Sequence, residues 1–373
     1  MRIGLSTTTI EPAVNGGHLD GIGVYTTRLG EGFSGRGHLV EGRSFPSLLQ
    51  PALKNHFVKG RPFPYPFQVM SAVALLSGGC FRSAPDVDVF HVTDYRVLPM
   101  RCPLVATLHD AIPLRHPEMA NARLRGLKNF VQKSMARFAD HVITLSQYTV
   151  PDLMEFYRIP ESRISVVPCG VDSKWLEPVD AEAKKTVLKR RQLEPGYFLF
   201  VGTFQPRKNI ERILAAYGRL PANLRKHRKL VLVGRGGWGC EALIESIRGS
   251  ARNGQVVWLN DVNSMEELRF LYSGAGIFLF PSLYEGYGIP VLEAFASAVP
   301  VITSNTTSLP EVSGGAAVEI NPESLDDLVS AMAWLATDEA ERSRRIAAGV
   351  RRARGLTWNH TVEGTLKVYQ KLL

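Results

Sequence analysis

Apolar residues along this chain come in short runs of four or five, separated by stretches in which they recur every three or four positions. Short apolar runs bounded by turn residues read as strands buried on both faces, and the longer period reads as amphipathic helix. The pattern predicts an α/β protein with parallel sheets covered by helices on both sides. Strands are expected at 2–6, 87–92, 104–108, 141–145 and 164–167, and a second series at 197–201, 229–233, 256–259, 277–280 and 299–303. Between the two series, 173–194 carries Pro178 and a charged Ala/Lys-rich run, which predicts a linker followed by a helix. In 358–373, Val362, Leu366, Tyr369 and Leu373 fall at helical spacing and predict a terminal helix.

At 373 residues the chain exceeds what one core organises, so two domains are expected, 1–172 and 195–357. A composition of 45% hydrophobic and 21% charged residues excludes extensive disorder. The net charge of +9 favours anionic partners: nucleotide phosphates, an acidic membrane surface or nucleic acid. No run of like charges and no base-reading module is present, which ranks nucleic acid last. Cys80, Cys102, Cys169 and Cys240 contain no C-x-x-C pair, so neither a zinc knuckle nor a disulfide framework is expected, and a reducing cytoplasm fits. The first ten residues read as a strand rather than a secretion signal, and the apolar stretch 69–81 is too short to span a bilayer. A helix over 122–139 places Leu124, Leu127, Val131 and Phe138 toward one face beside Arg123, Arg125, Lys128, Lys133 and Arg137. It is read as packing on the core with a solvated basic face, contact with anionic lipid being the alternative.

The densest chemistry runs from Pro281 to Glu293, directly after the strand at 277–280. Gly286 and Gly288 there let the backbone approach a phosphate or sugar closely, and the helix entered near Ile289 adds positive potential at its start. Glu285 on the loop and Glu293 one turn inside that helix suit hydroxyl recognition, because ionised carboxylates accept hydrogen bonds from sugar and ribose hydroxyls. A second constellation, Val201 to Asn209, follows the strand at 197–201 and carries Arg207 and Lys208 side by side. Cations at a helix start oppose its dipole, so an anion is expected beside them. A third, Thr107 to Pro113, ends a first-domain strand with His109 and Asp110, and a fourth gathers Gly16, Gly17, Gly21 and Gly23 around the turn into a helix with Val24, Tyr25 and Leu29.

In this order the runs resemble the E-x7-E signature of retaining GT-B glycosyltransferases, in the large bacterial group 1 family that includes lipopolysaccharide and O-antigen mannosyltransferases. The likeness covers nearly the whole chain. It implies two facing Rossmann-like doubly wound domains, acceptor side first and donor side second, with the helix 358–373 returning to the first domain. It further implies that Glu293 binds the donor ribose, that Arg207 and Lys208 take the diphosphate, and that Glu285, Gly286, Tyr287, Gly288 and Ile289 orient sugar and phosphates. His109 would contact the transferred sugar near its 6-hydroxyl, and Gly21 and Gly23 would face the donor phosphates. Thr203 stands where many relatives have arginine, and Arg207 is the expected replacement. Asparagine is usual where Cys169 stands, and glycine where Ala298 stands. The segment Pro-Arg-Lys-Asn resembles a mannosyltransferase-like branch, which implies GDP-mannose as donor, with UDP-sugars open. A lipid-linked glycan acceptor, no cofactor, no metal, no nucleic acid partner, and a cytoplasmic place with peripheral contact at the inner membrane face complete the implied picture. Ser146, Asp152 and Gly170–Val171–Asp172 match capping and hinge positions.

Two further patterns compete. Gly234 to Gly239 fits G-x-G-x-x-G after a strand, the fingerprint of a dinucleotide-binding oxidoreductase, but its nearest downstream acid at a strand end, Asp261, comes late for a ribose contact. Asp86–Val87–Asp88 mimics a metal-binding D-x-D but precedes a strand instead of ending one, and is read as a turn-to-strand boundary. A non-hydrolysing sugar-nucleotide epimerase would share the architecture, and a degenerate carbohydrate-binding relative would have lost Glu285, Lys208 or Glu293.

Overall fold

The computed structural model describes residues 1–11, 19–46, 62–119, 124–237, 239–251 and 254–373. The chain divides into two compact units, Met1–Cys169 joined by Trp358–Leu373, and Gly170–Thr357.

Six parallel strands build the first unit: β1 (Arg2–Ser6), β2 (Leu39–Arg43), β3 (Val89–Val92), β4 (Leu104–Thr107), β5 (His141–Thr144) and β6 (Ile164–Val166). Their spatial order is β2-β1-β3-β4-β5-β6. Every residue of β3, β4 and β5 is buried, as required of strands covered on both faces. The order reverses between β1 and β3, so a crevice opens beyond their carboxyl ends. Helix α1 (Gly21–Ser34) starts at the Asp20 carboxylate, which accepts from the Gly23 N–H at 2.8 Å, and turns Tyr25, Leu29 and Phe33 inward at four-residue spacing. Helices α2 (Phe67–Leu76) and α3 (Arg125–Ala136) pack against one another. The expectation for α3 fails in one respect: Leu124 and Leu127 point to solvent with Phe130, while Val131 and Phe138 are only partly buried. Periodicity fixes that a stripe exists; it does not fix which way the stripe faces.

The second unit repeats the plan with β7 (Tyr197–Val201), β8 (Leu230–Val233), β9 (Val256–Leu259), β10 (Ala275–Phe280), β11 (Val301–Ser304) and β12 (Val318–Ile320), all parallel. Their order, β12-β11-β10-β7-β8-β9, is the doubly wound order of dinucleotide folds, with its switch point between β7 and β10. Helix α4 (Ala181–Arg190), expected after a linker, packs on α5 (Met265–Gly274) and buries Leu188, so it belongs to the second unit. Helix α6 (Ile289–Ala296) follows β10.

The terminal helix α7 (Trp358–Gln370) docks on α1. Its buried face holds Thr361, Val362, Thr365, Val368 and Tyr369; Leu366 is half-buried and Leu373, beyond the helix end, is exposed, which corrects the expected stripe. Contact is close because Gly32 of α1 has no side chain: a Cβ there would lie 2.4 Å from Val362 Cγ2. Gly32→Ala therefore loses more by overpacking than it gains in helix propensity, and a denaturant melt should show roughly 1–2 kcal/mol of destabilisation. An unchanged midpoint would mean that α7 yields freely.

Candidate functional site

At the switch point of the second sheet two loops leave neighbouring strands, Gly202–Asn209 after β7 and Pro281–Gly288 after β10. Pro206 opens a 3₁₀ turn, Pro206–Lys208, ended by Asn209 in the left-handed region at φ 60°. The Asn209 amide donates to the Pro281 carbonyl at 2.9 Å and the Pro322 carbonyl at 2.8 Å, and the Leu283 N–H donates to the Arg207 carbonyl at 2.8 Å. These bonds tie the turn to the second loop and set both cations on one carboxylate. Arg207 Nη1 donates to Glu285 Oε2 at 2.7 Å and Lys208 Nζ to Glu285 Oε1 at 2.5 Å, with Lys208 also 4.6 Å above the Phe280 ring. Glu285 is thus one anion beside the two cations.

Lys208 and Glu285 are only 8% and 6% exposed, so this cluster is held in a largely dry setting. Burial alone would raise the Glu285 carboxyl, but Arg207 and Lys208 together outweigh it and hold it near 2, ionised at every physiological pH. The turn that carries it is pinned from the next loop, where the buried Ser308 hydroxyl lies 2.9 Å from the Glu285 carbonyl and 2.8 Å from that of Tyr287. Gly288 sits at φ 127°, where a Cβ would come within 2.8 Å of Leu309.

Glu293, in the second turn of α6, is different. Burial pushes its carboxyl up to about 7, offset only in part by the Tyr272 hydroxyl, which donates to Oε2 at 3.1 Å. Tyr272 is itself fully buried and set edge-on to Trp175, with ring centroids 5.1 Å apart. The expectation of two ionised carboxylates is therefore corrected: one is locked in its charged form and the other titrates near neutrality, the usual basis for dividing roles between two acids. Gly286 and Tyr287 are buried in the turn, Ile289 is half-buried at the helix start, and Thr203 is exposed beyond β7.

The remaining expected residues lie in the first unit. His109 follows β4 and is 9% exposed; its Nε2 stands 2.9 Å from the Thr93 carbonyl oxygen. A carbonyl only accepts, so Nε2 carries the proton. Burial lowers the imidazole pKa against the opposing pull of the Thr93 carbonyl and of Asp110, Asp94 and Asp20, so a neutral ring keeps its lone pair on Nδ1. The Tyr25 ring meets His109 edge-on, centroids 5.2 Å apart, and Tyr25 Oη lies 3.0 Å from Thr107 Oγ1. Thr107 in turn is 2.8 Å from His91 Nε2, whose Nδ1 is 2.6 Å from Tyr369 Oη on α7. Gly21 and Gly23 form the first turn of α1 rather than a loop before it; Gly16 and Gly17 lie outside the described residues.

The competing patterns have structural work. A Cβ on Gly234 would lie 2.0 Å from the Gly202 carbonyl oxygen and one on Gly237 2.5 Å from that of Phe204, so these glycines allow two loops to touch. Asp261 is engaged by Arg191 at 2.9 Å. Arg2 pairs with Asp86 at 2.7 Å, and its N–H donates to Asp88 at 2.8 Å, which closes the turn before β3. Asp172 caps a short helix through the Lys174 N–H, as read; Asp152 pairs with Arg115, and the Ser146 hydroxyl meets that of Thr149 at 2.9 Å. The sequence reading missed Tyr272 and Ser308, and gave Asn209 no role.

Two family models match, glycosyl transferases group 1 over 182–352 and glycosyltransferase family 4 over 19–175. The chain is 32% identical over 272 residues to the O-antigen chain mannosyltransferase B of Escherichia coli, a match covering 72% of this chain and 70% of that one. It is 28% identical to the E. coli serotype-specific mannosyltransferase WbdA over 72% of this chain, and there it spans only 33% of the relative's length. In three dimensions it superposes on a sucrose-phosphate synthase of Thermosynechococcus elongatus with a TM-score of 0.76 at 20% identity, covering 100% and 99% of the two chains. Two parallel doubly wound sheets, the paired loops at the second switch point and these matches establish that the chain is a glycosyltransferase of the GT-B fold and belongs to the group 1 family, with the O-antigen mannosyltransferases among its relatives.

Proposed function

We propose that this enzyme transfers mannose from GDP-mannose, with retention of configuration and without a metal, to a lipid-linked glycan in cell-surface glycan synthesis. The observation that carries the reading is the Arg207–Lys208–Glu285 cluster at the switch point, one short helical step from Glu293. Mannose is favoured because the O-antigen relatives are named as mannosyltransferases. The second unit, 195–357 at its core, takes the donor: Glu293 accepts from the ribose hydroxyls, and Arg207 and Lys208 stabilise charge on the diphosphate as the glycosidic bond breaks, the role a metal would otherwise fill. Glu285 and the Gly286–Tyr287–Gly288 turn orient the sugar, with Thr203 and Ile289 at the edges of the donor. The first unit, 1–172 with the return helix, takes the acceptor, and His109 accepts from a hydroxyl of the transferred sugar through Nδ1. The enzyme works in the cytoplasm with peripheral contact at the inner membrane face. Among the described residues no helix is long and apolar enough to cross a membrane.

A thermal-shift panel of GDP-, UDP- and ADP-sugars tests the donor, since a ligand at a hundred times its Kd stabilises by about 2.7 kcal/mol. GDP-mannose should give the largest shift; a larger shift with a UDP-sugar would overturn the choice of base. The ribose role makes a pH prediction. With the Glu293 carboxyl near 7, the accepting carboxylate is lost as pH falls, so donor KM should climb about tenfold for each unit below 7. Glu293→Gln should flatten that profile at a high KM. A wild-type KM constant from pH 5.5 to 8 would remove Glu293 from the donor site.

A further inference from the structure

Next to His109 the first unit buries a chain of polar side chains to which the proposed reaction gives no role. Tyr369 of α7, His91 of β3, Thr107 at the end of β4 and Tyr25 of α1 are all fully buried. They meet in that order: Tyr369 Oη lies 2.6 Å from His91 Nδ1, His91 Nε2 lies 2.8 Å from Thr107 Oγ1, and Thr107 Oγ1 lies 3.0 Å from Tyr25 Oη. The Tyr25 hydroxyl also bonds Thr365 of α7, whose own proton goes to the Thr361 carbonyl at 2.8 Å. One direction of donation then gives every proton an acceptor: Tyr369 donates to Nδ1, Nε2 to Thr107, Thr107 to Tyr25, and Tyr25 to Thr365. This direction needs a neutral His91, and burial beside His109 pushes the His91 ring down to about 3.

Apolar side chains of the same shape would fill this core as well, whereas a buried polar chain is costly if any link is left unmet. What the chain adds is a fixed geometry, and its far end shows where that geometry is delivered. The Tyr25 ring stands edge-on to the His109 ring, centroids 5.2 Å apart, and is backed by Trp358 of α7 at 6.0 Å. The next residue of α1, Thr26, lies hydroxyl to hydroxyl 2.7 Å from Thr93, and the Thr93 carbonyl takes the His109 Nε2 proton at 2.9 Å. Two successive residues of α1 therefore reach His109, one through the face of its ring and one through its hydrogen-bond acceptor. We infer that Tyr369, His91, Thr107 and Tyr25 are positioning residues: through this chain the return helix fixes the His109 ring with Nε2 on the Thr93 carbonyl and Nδ1 as the accepting nitrogen. The fixing of the ring stands on the geometry. Its consequence for the rate rests on the proposed function, in which His109 accepts from a sugar hydroxyl, because a misplacement of about 1 Å in such a contact costs up to about 10² in rate.

Nitrogen–proton correlation spectra of the imidazole rings in the full chain, with His109 and His91 assigned through His109→Gln and His91→Gln, test it without any substrate. Both rings should appear in the wild type as neutral Nε2–H tautomers in a single state. Tyr369→Phe and Tyr25→Phe each delete one hydroxyl and keep the aromatic ring. In either variant the His109 resonances should broaden or split, and GDP release from GDP-mannose, with methyl α-mannoside as the acceptor probe, should fall about tenfold in kcat at an unchanged donor KM. The double variant should cost little more than either single one, since both break the same chain. Val362→Ala loosens the contact of α7 with Gly32 of α1 without touching a hydroxyl; it should lower the unfolding midpoint and leave the His109 resonances and kcat as in the wild type. His109 resonances that stay put in both phenylalanine variants, or that move equally in Val362→Ala, would overturn the inference and leave the chain as core packing. If instead His109→Gln keeps the wild-type kcat while the spectra behave as described, the sugar contact of His109 falls and the positioning of its ring stands.

Discussion

Glu285→Gln should lower the midpoint of thermal unfolding of the second unit by about 6–20 °C at pH 7. The range comes from the loss of roughly 3–5 kcal/mol when one partner of a buried ion cluster is removed, with 2–4 °C per kcal/mol for a unit of this size. The amide keeps the shape of the side chain but removes the negative charge that Arg207 and the nearly buried Lys208 share. The sign with pH follows from the carboxyl being held near 2 in the folded chain, against an ordinary value of 4.5. A depressed carboxyl contributes stability that is complete above its unfolded value and is lost as pH falls toward its folded one. The gap between wild type and variant should therefore be constant above about pH 5 and close progressively below 4.5 as the wild type loses its advantage. A variant that melts within 2 °C of wild type at pH 7 would show that solvent screens the cluster and that its burial is not maintained. Scanning calorimetry across this pH window reads both the size and the sign.

How much of this was legible in the sequence depended on whether a residue's partner was local. Strands at the centre of the sheets read as apolar runs because both faces are covered, and β1, β7 and β9 have the expected limits. Two edge strands, β2 and β12, were invisible for the opposite reason. Leu39–Arg43 buries one residue of five and pairs Glu41 with Arg43, so it carries no apolar run, and Val318–Ile320 is only three residues long. The chemical types at the site were readable from the two loops, but their contact was not. Lys208 and Glu285 are 77 positions apart, and only the crossover that sets β10 beside β7 brings them together. Ser308 and Tyr272 escaped notice because each acts on a residue about twenty positions away through a fold contact, with no motif around it to mark it. The ionisation of Glu293 was misread for the same reason: the sequence shows a carboxylate, and burial decides its charge.

Lys208→Ala should separate stability from catalysis in a way that Glu285→Gln does not. Glu285 keeps Arg207 at 2.7 Å in this variant, so a neutralised carboxylate remains and the folded chain should lose only about 1–2 kcal/mol. On the proposed function the donor, in contrast, loses a cation aimed at the place where negative charge grows as the glycosidic bond breaks. Removing one such preorganised group costs about 10²–10³ in rate, because the lost interaction is stronger in the transition state than in the ground state. Initial-rate kinetics with GDP-mannose should therefore show most of the loss in kcat, with the donor's thermal shift reduced as well. Lys208→Arg should recover little, since a planar fork on a different stem cannot reproduce a point charge placed 2.5 Å from Glu285 Oε1 and above the Phe280 ring. A Lys208→Ala enzyme within threefold of wild type in kcat/KM would mean that the cluster serves only to fasten two loops at the switch point, and that the diphosphate is held elsewhere.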